Sequence, residues 1–415
     1  MNSLARLASR CGDVARRTAC LIGLGLAFGG LPGLAHADGK KPYSYFVTGT
    51  QYYVAGNLTP VVPLPTPKPE AVQPVVVMGG GPDVDEAYRW MIRQAGIKPR
   101  PNTPTGGRFV VIRTTGDDAY DPYFLYSDSQ NSTSTPAVDG FVGGAYLGLT
   151  SAETLVLPSR DSANDPFVNA VVGSANALWI AGGDQSTYIN LWKGTALEST
   201  IATLIRNNIP VGGTSAGANV LGQFVYSAQR GSVTSAQALG DPYNKYMTFD
   251  PTPFSGPSFV NIAALANTFV DPHFDSRDRM GRLVTFVSRS IAPGSGSTGC
   301  AGGIVTAPQD ARGIGIDVET ALVIQNVGSH YVAQRLTNIS TTSSSAVHFL
   351  RPMTLPAVCA AGTPLTMQGI CVQKLANSTD FDITDWWNGA SHGVNTCDYI
   401  VNETTGVQTP APIPY

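Results

Sequence analysis

Short apolar runs recur along the chain, and each of them ends in glycine or in a polar turn. The first run, at 75–78, leads into three glycines, and a segment with helical spacing follows at 85–94. Comparable runs lie at 109–112, 154–157, 177–181 and 209–212. Because apolar and polar positions do not alternate in these runs, they are typical of parallel strands covered on both faces by helices. The pattern predicts an α/β fold with its site at the carboxyl ends of the strands.

The composition changes on either side of this central part. Residues 43–54 are rich in aromatic and β-branched types and predict strands, and residues 60–74 hold six prolines, which favour an extended connector. Residues 336–346 are rich in Ser and Thr. The predicted organisation is a signal peptide at 1–37, an N-terminal strand and Pro-rich connector at 38–74, an α/β domain with the candidate site at 75–335, and a linker with a C-terminal addition at 336–415.

The first 37 residues have the three parts of a cleavable signal peptide. Four arginines come first, an uncharged stretch runs from Thr18 to Ala35, and Ala35-His36-Ala37 gives a small-x-small end. We expect cleavage near Ala37 and a secreted protein, either extracellular or periplasmic. No later segment is apolar for about 18 residues, so no membrane span is predicted. Only 13% of all residues are charged, which excludes a generally basic nucleic-acid binder.

Cysteine usage fits export. Removal of the signal peptide would take away two of the six cysteines and leave Cys300, Cys359, Cys371 and Cys397. An even number of cysteines in an exported chain predicts two disulfides, and sequence alone leaves their pairing open. Their spacing fits no zinc-binding pattern, so no metal site is expected.

The sharpest chemical motif is Gly213-Thr214-Ser215-Ala216-Gly217. It follows the strand-like run at 209–212 and precedes a stretch, 218–226, that predicts a helix. Gly-x-Ser-x-Gly between a strand and a helix is a nucleophile elbow, in which a tight turn exposes the serine oxygen and requires small neighbours. Ser215 is therefore the candidate nucleophile, and the amide of Ala216 is a candidate oxyanion donor.

A nucleophilic serine needs a base, and few histidines follow the signal segment. His273 lies between an apolar run that ends near Val270 and a helix predicted to begin near Asp275. This places it on a strand-to-helix loop, at the edge of the sheet where Ser215 should also lie. Its rival is His392, which with Asp310 would suit an esterase. The same segment carries Arg277, Arg279 and Arg282 in the expected first turns of the helix. Cations are unfavourable at a helix N-terminus, so the three arginines predict an anionic ligand.

Together these motifs resemble the cyanophycinase and peptidase E family of serine peptidases. The resemblance rests on Gly182-Gly183-Asp184-Gln185, on Gly212 to Ala218, and on Asp271 to Arg282, across about 75–326. It implies a flavodoxin-like parallel sheet sandwiched by helices, similar to class I glutamine amidotransferases. Among the branches of the family, an exported, longer chain resembles the extracellular cyanophycinases. These hydrolyse cyanophycin, a polyaspartate with arginine on each side-chain carboxyl, to β-Asp-Arg dipeptides.

The resemblance also implies roles for individual residues. Ser215 would be the nucleophile and His273 the general base, and a glycine of the Gly182-Gly183 turn, taken as Gly183, would join Ala216 in the oxyanion hole. The substrate pocket would be lined by Gln185, Asp271, Arg277, Arg279 and Arg282. Pro272 stands where cyanophycinases usually have glutamine. No metal or organic cofactor is required, and sequence leaves open whether the protein forms a homodimer.

The third member of the triad stays open between three carboxylates. The family usually has glutamate after Gly-Ile-Gly-Ile-Asp, and here that position is Val318. We favour Glu319 next to it, with Asp317 and Asp271 as alternatives, although adjacent strand residues point to opposite faces. Two other functions compete with cyanophycin hydrolysis. One is a peptidase E-like dipeptidase acting on peptides with N-terminal aspartate, and the other is an inactive protein that binds an Asp/Arg polymer.

Overall fold

The computed structural model describes residues 41–99, 106–126, 139–294, 299–341, 344–377, 379–388 and 397–415. The predicted signal peptide and His392 lie outside these residues. Residues 41–415 form one compact unit. None of the helices in the described ranges has the length and apolar character needed to cross a membrane.

Two large sheets organise the unit. The strands are β1 (Ser44–Gly49), β2 (Val72–Met78), β3 (Arg108–Arg113), β4 (Ser151–Val156), β5 (Ala177–Ile180), β6 (Val211–Thr214), β7 (Val225–Tyr226), β8 (Phe249–Asp250), β9 (Thr268–Pro272), β10 (Arg312–Ile316), β11 (Ala321–Val327), β12 (His330–Leu336), β13 (Val347–Pro352), β14 (Met367–Leu375), β15 (Phe381–Asp382), β16 (Trp387–Asn388), β17 (Tyr399–Thr404) and β18 (Val407–Thr409). The helices are α1 (Asp85–Gln94), α2 (Tyr120–Leu125), α3 (Arg160–Asn164), α4 (Pro166–Gly173), α5 (Gln185–Trp192), α6 (Ala196–Arg206), α7 (Ala216–Asn219), α8 (Ser235–Gly240) and α9 (Met280–Ser290). Short 3₁₀ turns span Ala263–Leu265 and Pro308–Asp310.

The first sheet has the strand order β1-β4-β3-β5-β6-β2-β11-β12-β15-β16. Its centre, from β4 to β2, is parallel, and β1 and β11 pair with it antiparallel at either side. Alternate residues of β2 enter different cores: Val75 and Val77 pack with the helices α4 to α6, whereas Val76 and Met78 pack with α1. Because both faces are covered, the strands read as continuous apolar runs. The predicted α/β sandwich is confirmed.

The second sheet has the order β18-β17-β14-β13-β10-β9, in which β9 and β10 are parallel. Residues of the predicted C-terminal addition supply β13, β14, β17 and β18, so they extend the sheet that carries β9. Disulfides join Cys300 to Cys359 and Cys371 to Cys397, which resolves the pairing that the sequence left open. One face of this sheet packs with α9, and its other face contributes to the core of the first sheet.

Two predicted helices near the site have different bounds. The helix after Ser215 ends at Asn219, and the chain then runs beside β9 so closely that a Cβ on Gly222 would lie 2.7 Å from the Thr268 carbonyl oxygen. The helix expected to begin near Asp275 begins at Met280. Asp278 has a φ of 47°, a left-handed conformation that interrupts a right-handed helix. Of the three arginines, only Arg282 therefore lies within α9.

Candidate active site

Ser215 lies on the sharp turn between β6 and α7. Its φ and ψ are 52° and −119°, a strained conformation for a residue with a side chain. The turn needs small neighbours, because a Cβ on Gly217 would lie 2.0 Å from the Ile180 carbonyl oxygen and one on Gly213 would lie 2.5 Å from the Gly217 carbonyl carbon. Tight packing around the turn thus holds the Ser215 hydroxyl at the strand end, as the motif predicts.

His273 follows β9, so it reaches the site from the second sheet. Its amide donates to the Gly79 carbonyl at 2.7 Å, which ties its loop to the end of β2 in the first sheet. The Nε2 atom lies 2.8 Å from Ser215 Oγ, within hydrogen-bond distance. The two sheets therefore meet where they bring a candidate nucleophile and a candidate base together.

The surroundings of His273 favour its neutral form. Burial, and then the positive charges of Arg277 and Arg279, lower the pKa of His273 from 6.5 to about 4, while Asp271 acts in the opposite direction. A neutral imidazole can accept a proton, so at neutral pH the ring can act as a base toward the hydroxyl of Ser215.

The three predicted arginines have different environments. Arg282 Nε donates to Asp271 Oδ2 at 2.8 Å, and its Nη2 also bonds to that carboxylate. Arg279 Nη1 donates to Asp271 Oδ1 at 3.2 Å and to the Pro272 carbonyl, and burial lowers the pKa of Arg279 to about 10. Arg277 is exposed and has no ion-pair partner among the residues that the structure describes. It is the guanidinium of the three that remains open to an anionic ligand.

Asp271 is buried, with an exposed fraction of 1%, and both of its oxygens accept from arginine. Its carboxylate orders Arg279 and Arg282, and so it is not an open partner for a substrate guanidinium.

The candidate triad acids also separate by their contacts. Asp317 Oδ2 accepts from the Ala346 amide at 2.8 Å and lies 3.3 Å from His348 Nε2. Asp317 therefore contacts His348 and not His273. Glu319 is half-buried in the turn after β10, with a φ of 57°, and its amide donates to the Gly80 carbonyl at 3.1 Å. Within the described part of the chain, no carboxylate oxygen lies within ion-pair distance of the His273 ring.

A narrow cleft of about 60 Å³ joins most of the predicted site residues. It is lined by Gly183, Gln185, Ser215, Ala216, Asn219, Pro272, His273, Arg277, Arg279 and Arg282. The Gln185 side chain also donates to the Tyr226 carbonyl at 3.4 Å. The sequence reasoning missed Asn219, because an asparagine at the end of a short helix gives no signal that separates a site residue from a helix terminus.

One group of side chains outside the cleft could hold a metal ion. His330, Asp382 and Asp385, on β12 and at β15, place ligand atoms within 4.8 Å of one another. They do not line the cleft that contains Ser215.

Comparison with known proteins adds to this picture. Residues 145–293 match the model of peptidase family S51. The chain is 25% identical over 194 residues to a cyanophycinase of Trichormus variabilis, across 45% of this chain and 54% of that protein. It is 24% identical over 180 residues to a cyanophycinase of Geminocystis herdmanii, across 43% of this chain and 54% of that protein. The chain spans about half the length of these curated relatives.

Among solved structures, a peptidase from an acI-B1 Actinobacterium is 18% identical and has a TM-score of 0.42, over 76% of this chain and 98% of that chain.

The fold and the site define an α/β protein with a Ser–His pair at a strand-to-helix turn. The chain is similar to peptidases of family S51, and the predicted resemblance to the cyanophycinase and peptidase E family is confirmed.

Proposed function

We propose that this protein is a secreted serine-type exopeptidase that hydrolyses cyanophycin to β-Asp-Arg dipeptides. The observation that carries the proposal is the 2.8 Å contact between Ser215 Oγ and His273 Nε2, in a cleft that also contains the exposed Arg277. A nucleophile, a neutral base and a cation beside them suit acyl transfer on a substrate that carries carboxylates, such as the free carboxylates of the arginyl units of cyanophycin.

The proposed reaction is a two-step acyl transfer. His273 takes the proton of Ser215 as its oxygen attacks the main-chain carbonyl that joins two aspartyl units, and the protonated ring then donates to the leaving amine. The amides of Ala216 and Gly183 would hold the oxyanion, and water would release the acyl group from Ser215 by the same path. Glu319 would stabilise the imidazolium after its side chain turns toward His273.

Arg277 would bind a carboxylate of the substrate, because it is exposed and its guanidinium can form a bidentate pair. Arg279 and Arg282 would add positive potential while Asp271 keeps them in place. Gln185, which also lines the cleft, would contact the substrate as well. Export, supported by the sequence of residues 1–37 and by two disulfides, would give the enzyme access to an insoluble polymer outside the cell.

The test is the release of β-Asp-Arg from insoluble cyanophycin by the purified protein and by its Ser215→Ala variant. We expect release by the wild type and loss of nearly all of it in the variant, since the hydroxyl is the attacking group. Thr203→Ala serves as the control, because its exposed hydroxyl lies on α6. Equal release by wild type and Ser215→Ala would overturn the proposal. Cleavage of short peptides with N-terminal aspartate, but not of the polymer, would favour a peptidase E-like dipeptidase.

A further inference from the structure

Tyr415 connects the C-terminal addition to the loop that carries Arg277. It lies beyond β18, and its hydroxyl donates to Asp278 Oδ1 at 2.7 Å and accepts from the Met280 amide at 3.1 Å. A tyrosine hydroxyl can make both bonds at once, because it has one hydrogen and can also accept. The Tyr415 ring packs edge-on against Phe274, with the ring centroids 5.5 Å apart. One side chain therefore contacts both ends of the loop in which Arg277 lies.

The start of α9 depends on partners from outside the helix. Met280 is its first residue, and Arg279 before it provides no side-chain cap. The first amides of a helix have no partner within the helix. The Tyr415 hydroxyl satisfies the amide of Met280, and Ser235 Oγ accepts from the amide of Arg282 at 3.2 Å. Side chains from other parts of the chain thus fix where the loop ends and α9 begins.

The same hydroxyl also engages the carboxylate nearest to Arg277 in sequence. Asp278 is exposed and directly follows Arg277, so its carboxylate is a potential competitor of an anionic ligand. Its Oδ1 atom instead accepts from Tyr415. Burial raises the pKa of Tyr415 well above its usual value, so the hydroxyl stays protonated and can donate throughout the neutral range. Arg277, which has no ion-pair partner among the described residues, remains open toward the cleft.

We infer that Tyr415 is a positioning residue that holds the Arg277 guanidinium in the cleft, where it can bind a carboxylate of the substrate. This role rests on the proposed peptidase function and gives the C-terminal addition a part in substrate binding. Tyr415 is not among the residues that line the cleft, so it acts through the loop. Hydrogen bonds behind a binding residue keep that residue in its productive geometry. Loss of the hydroxyl should therefore weaken the binding of an anionic substrate more than it slows the chemical step at Ser215.

The test is Tyr415→Phe in the full-length protein, which removes the hydroxyl and keeps the ring against Phe274. With a soluble β-Asp-Arg peptide we expect KM to rise about fivefold and kcat to stay within about twofold of the wild type. With the same peptide amidated at all its carboxylates, the variant and the wild type should have equal KM, because Arg277 then has no anion to bind. In an Arg277→Gln background, Tyr415→Phe should also leave KM unchanged, since both substitutions act on one contact.

Tyr243→Phe is the matched control. The Tyr243 hydroxyl donates to the Ala301 carbonyl at 3.0 Å, and Tyr243 does not line the cleft. This variant should keep the wild-type KM. An unchanged KM in Tyr415→Phe, or a rise of equal size when Arg277 is replaced or the peptide is amidated, would overturn the inference.

Hydrogen exchange gives a measure that does not require turnover. Tyr415→Phe should speed exchange of the Met280 amide, as read by mass spectrometry on a peptide that contains it, because that amide loses its acceptor. Protection elsewhere in α9 should remain, which shows that the variant is folded. Faster exchange at Met280 without a change in KM would mean that Tyr415 only caps the helix, and the inference would fail.

Calorimetry on Ser215→Ala separates this inference from the proposed reaction. If the wild type does not cleave the β-Asp-Arg peptide, the proposed function fails. Binding that is about fivefold weaker once Tyr415→Phe is added to Ser215→Ala, and only for the peptide with free carboxylates, would still support the role of Tyr415. Equal binding to both proteins, or no binding, would overturn it. Normal cleavage that does not respond to Tyr415→Phe would overturn this inference alone.

Discussion

The imidazole of His273 lies directly against Gly80. A Cβ placed on Gly80 would lie 2.2 Å from Cε1 of the ring and 2.7 Å from Nε2, and Gly80 has a φ of 116°, which a side chain rarely tolerates. The three glycines after β2 therefore do more than end a strand. The second of them leaves room for the base, and its carbonyl accepts from the amide of Glu319.

Gly80→Ala should remove activity by displacing this ring. The added methyl would push Nε2 away from Ser215 Oγ, and a displacement of about 1 Å can reduce the rate by about 100-fold. Turnover of β-Asp-Arg polymer or peptide and the urea midpoint should be measured together. Gly81→Ala is the matched control, because a Cβ at Gly81 would come no closer than 3.9 Å to a neighbour. Equal activity of the two variants would contradict the role given to Gly80.

The low pKa of His273 gives a prediction for the pH profile. The proposed mechanism needs the neutral ring, and its pKa in the folded protein is about 4 instead of 6.5. Activity should therefore persist as the pH falls through 6 and decline only near pH 4, as read from the acid limb of kcat/KM for a soluble substrate. Arg277→Gln removes a cation that lowers this pKa, so it should move the limb to higher pH. A limb near 6.5 in the wild type would show that the ring is not shielded from protonation.

The sequence predicted the bounds of α1 because the spacing of its apolar residues is a local pattern, contained within ten residues. It predicted the sharp turn at Ser215 because such a turn requires small residues within two positions of the serine. It could not separate β9 from the strands of the first sheet, since both kinds of buried strand read as apolar runs and only pairing distinguishes them. The rule that adjacent strand residues face opposite sides does not apply at Glu319, because β10 ends at Ile316 and the chain then turns.

Glu403 should make stability depend on pH. Its side chain on β17 is fully buried, and burial raises its pKa from 4.5 to about 8. Because the folded state prefers the protonated form, the stabilisation is complete below about pH 4.5 and is lost as the pH rises toward 8. Glu403→Gln cannot ionise, so it should exceed the wild type in free energy of unfolding at pH 8 by roughly 2–4 kcal/mol and match it at pH 4. The exposed substitution Glu70→Gln should change neither value, and a pH-independent effect of Glu403→Gln would refute the assignment.

The three candidate acids should separate when catalysis and stability are measured on the same variants. Glu319 makes no side-chain hydrogen bond or ion pair within the described ranges. Its backbone amide donates to the Gly80 carbonyl, and the His273 ring also lies beside Gly80. The Glu319 carboxylate is therefore free to turn toward His273. Glu319→Gln should lower kcat by about 100-fold, because the imidazolium formed during the reaction loses its counter-charge, and should leave the unfolding midpoint unchanged.

Asp271→Asn should act mainly on the fold. It leaves two buried arginines without their charge partner, and breaking a buried ion pair costs about 3–5 kcal/mol. Asp317→Asn should likewise reduce stability, since Asp317 bonds the Ala346 amide and lies beside His348, while a folded variant should keep most of its kcat. A folded Asp317→Asn protein that loses kcat as Ser215→Ala does, beside an active Glu319→Gln protein, would transfer the role of triad acid to Asp317. The triad acid is therefore the carboxylate whose substitution lowers kcat while the protein remains folded.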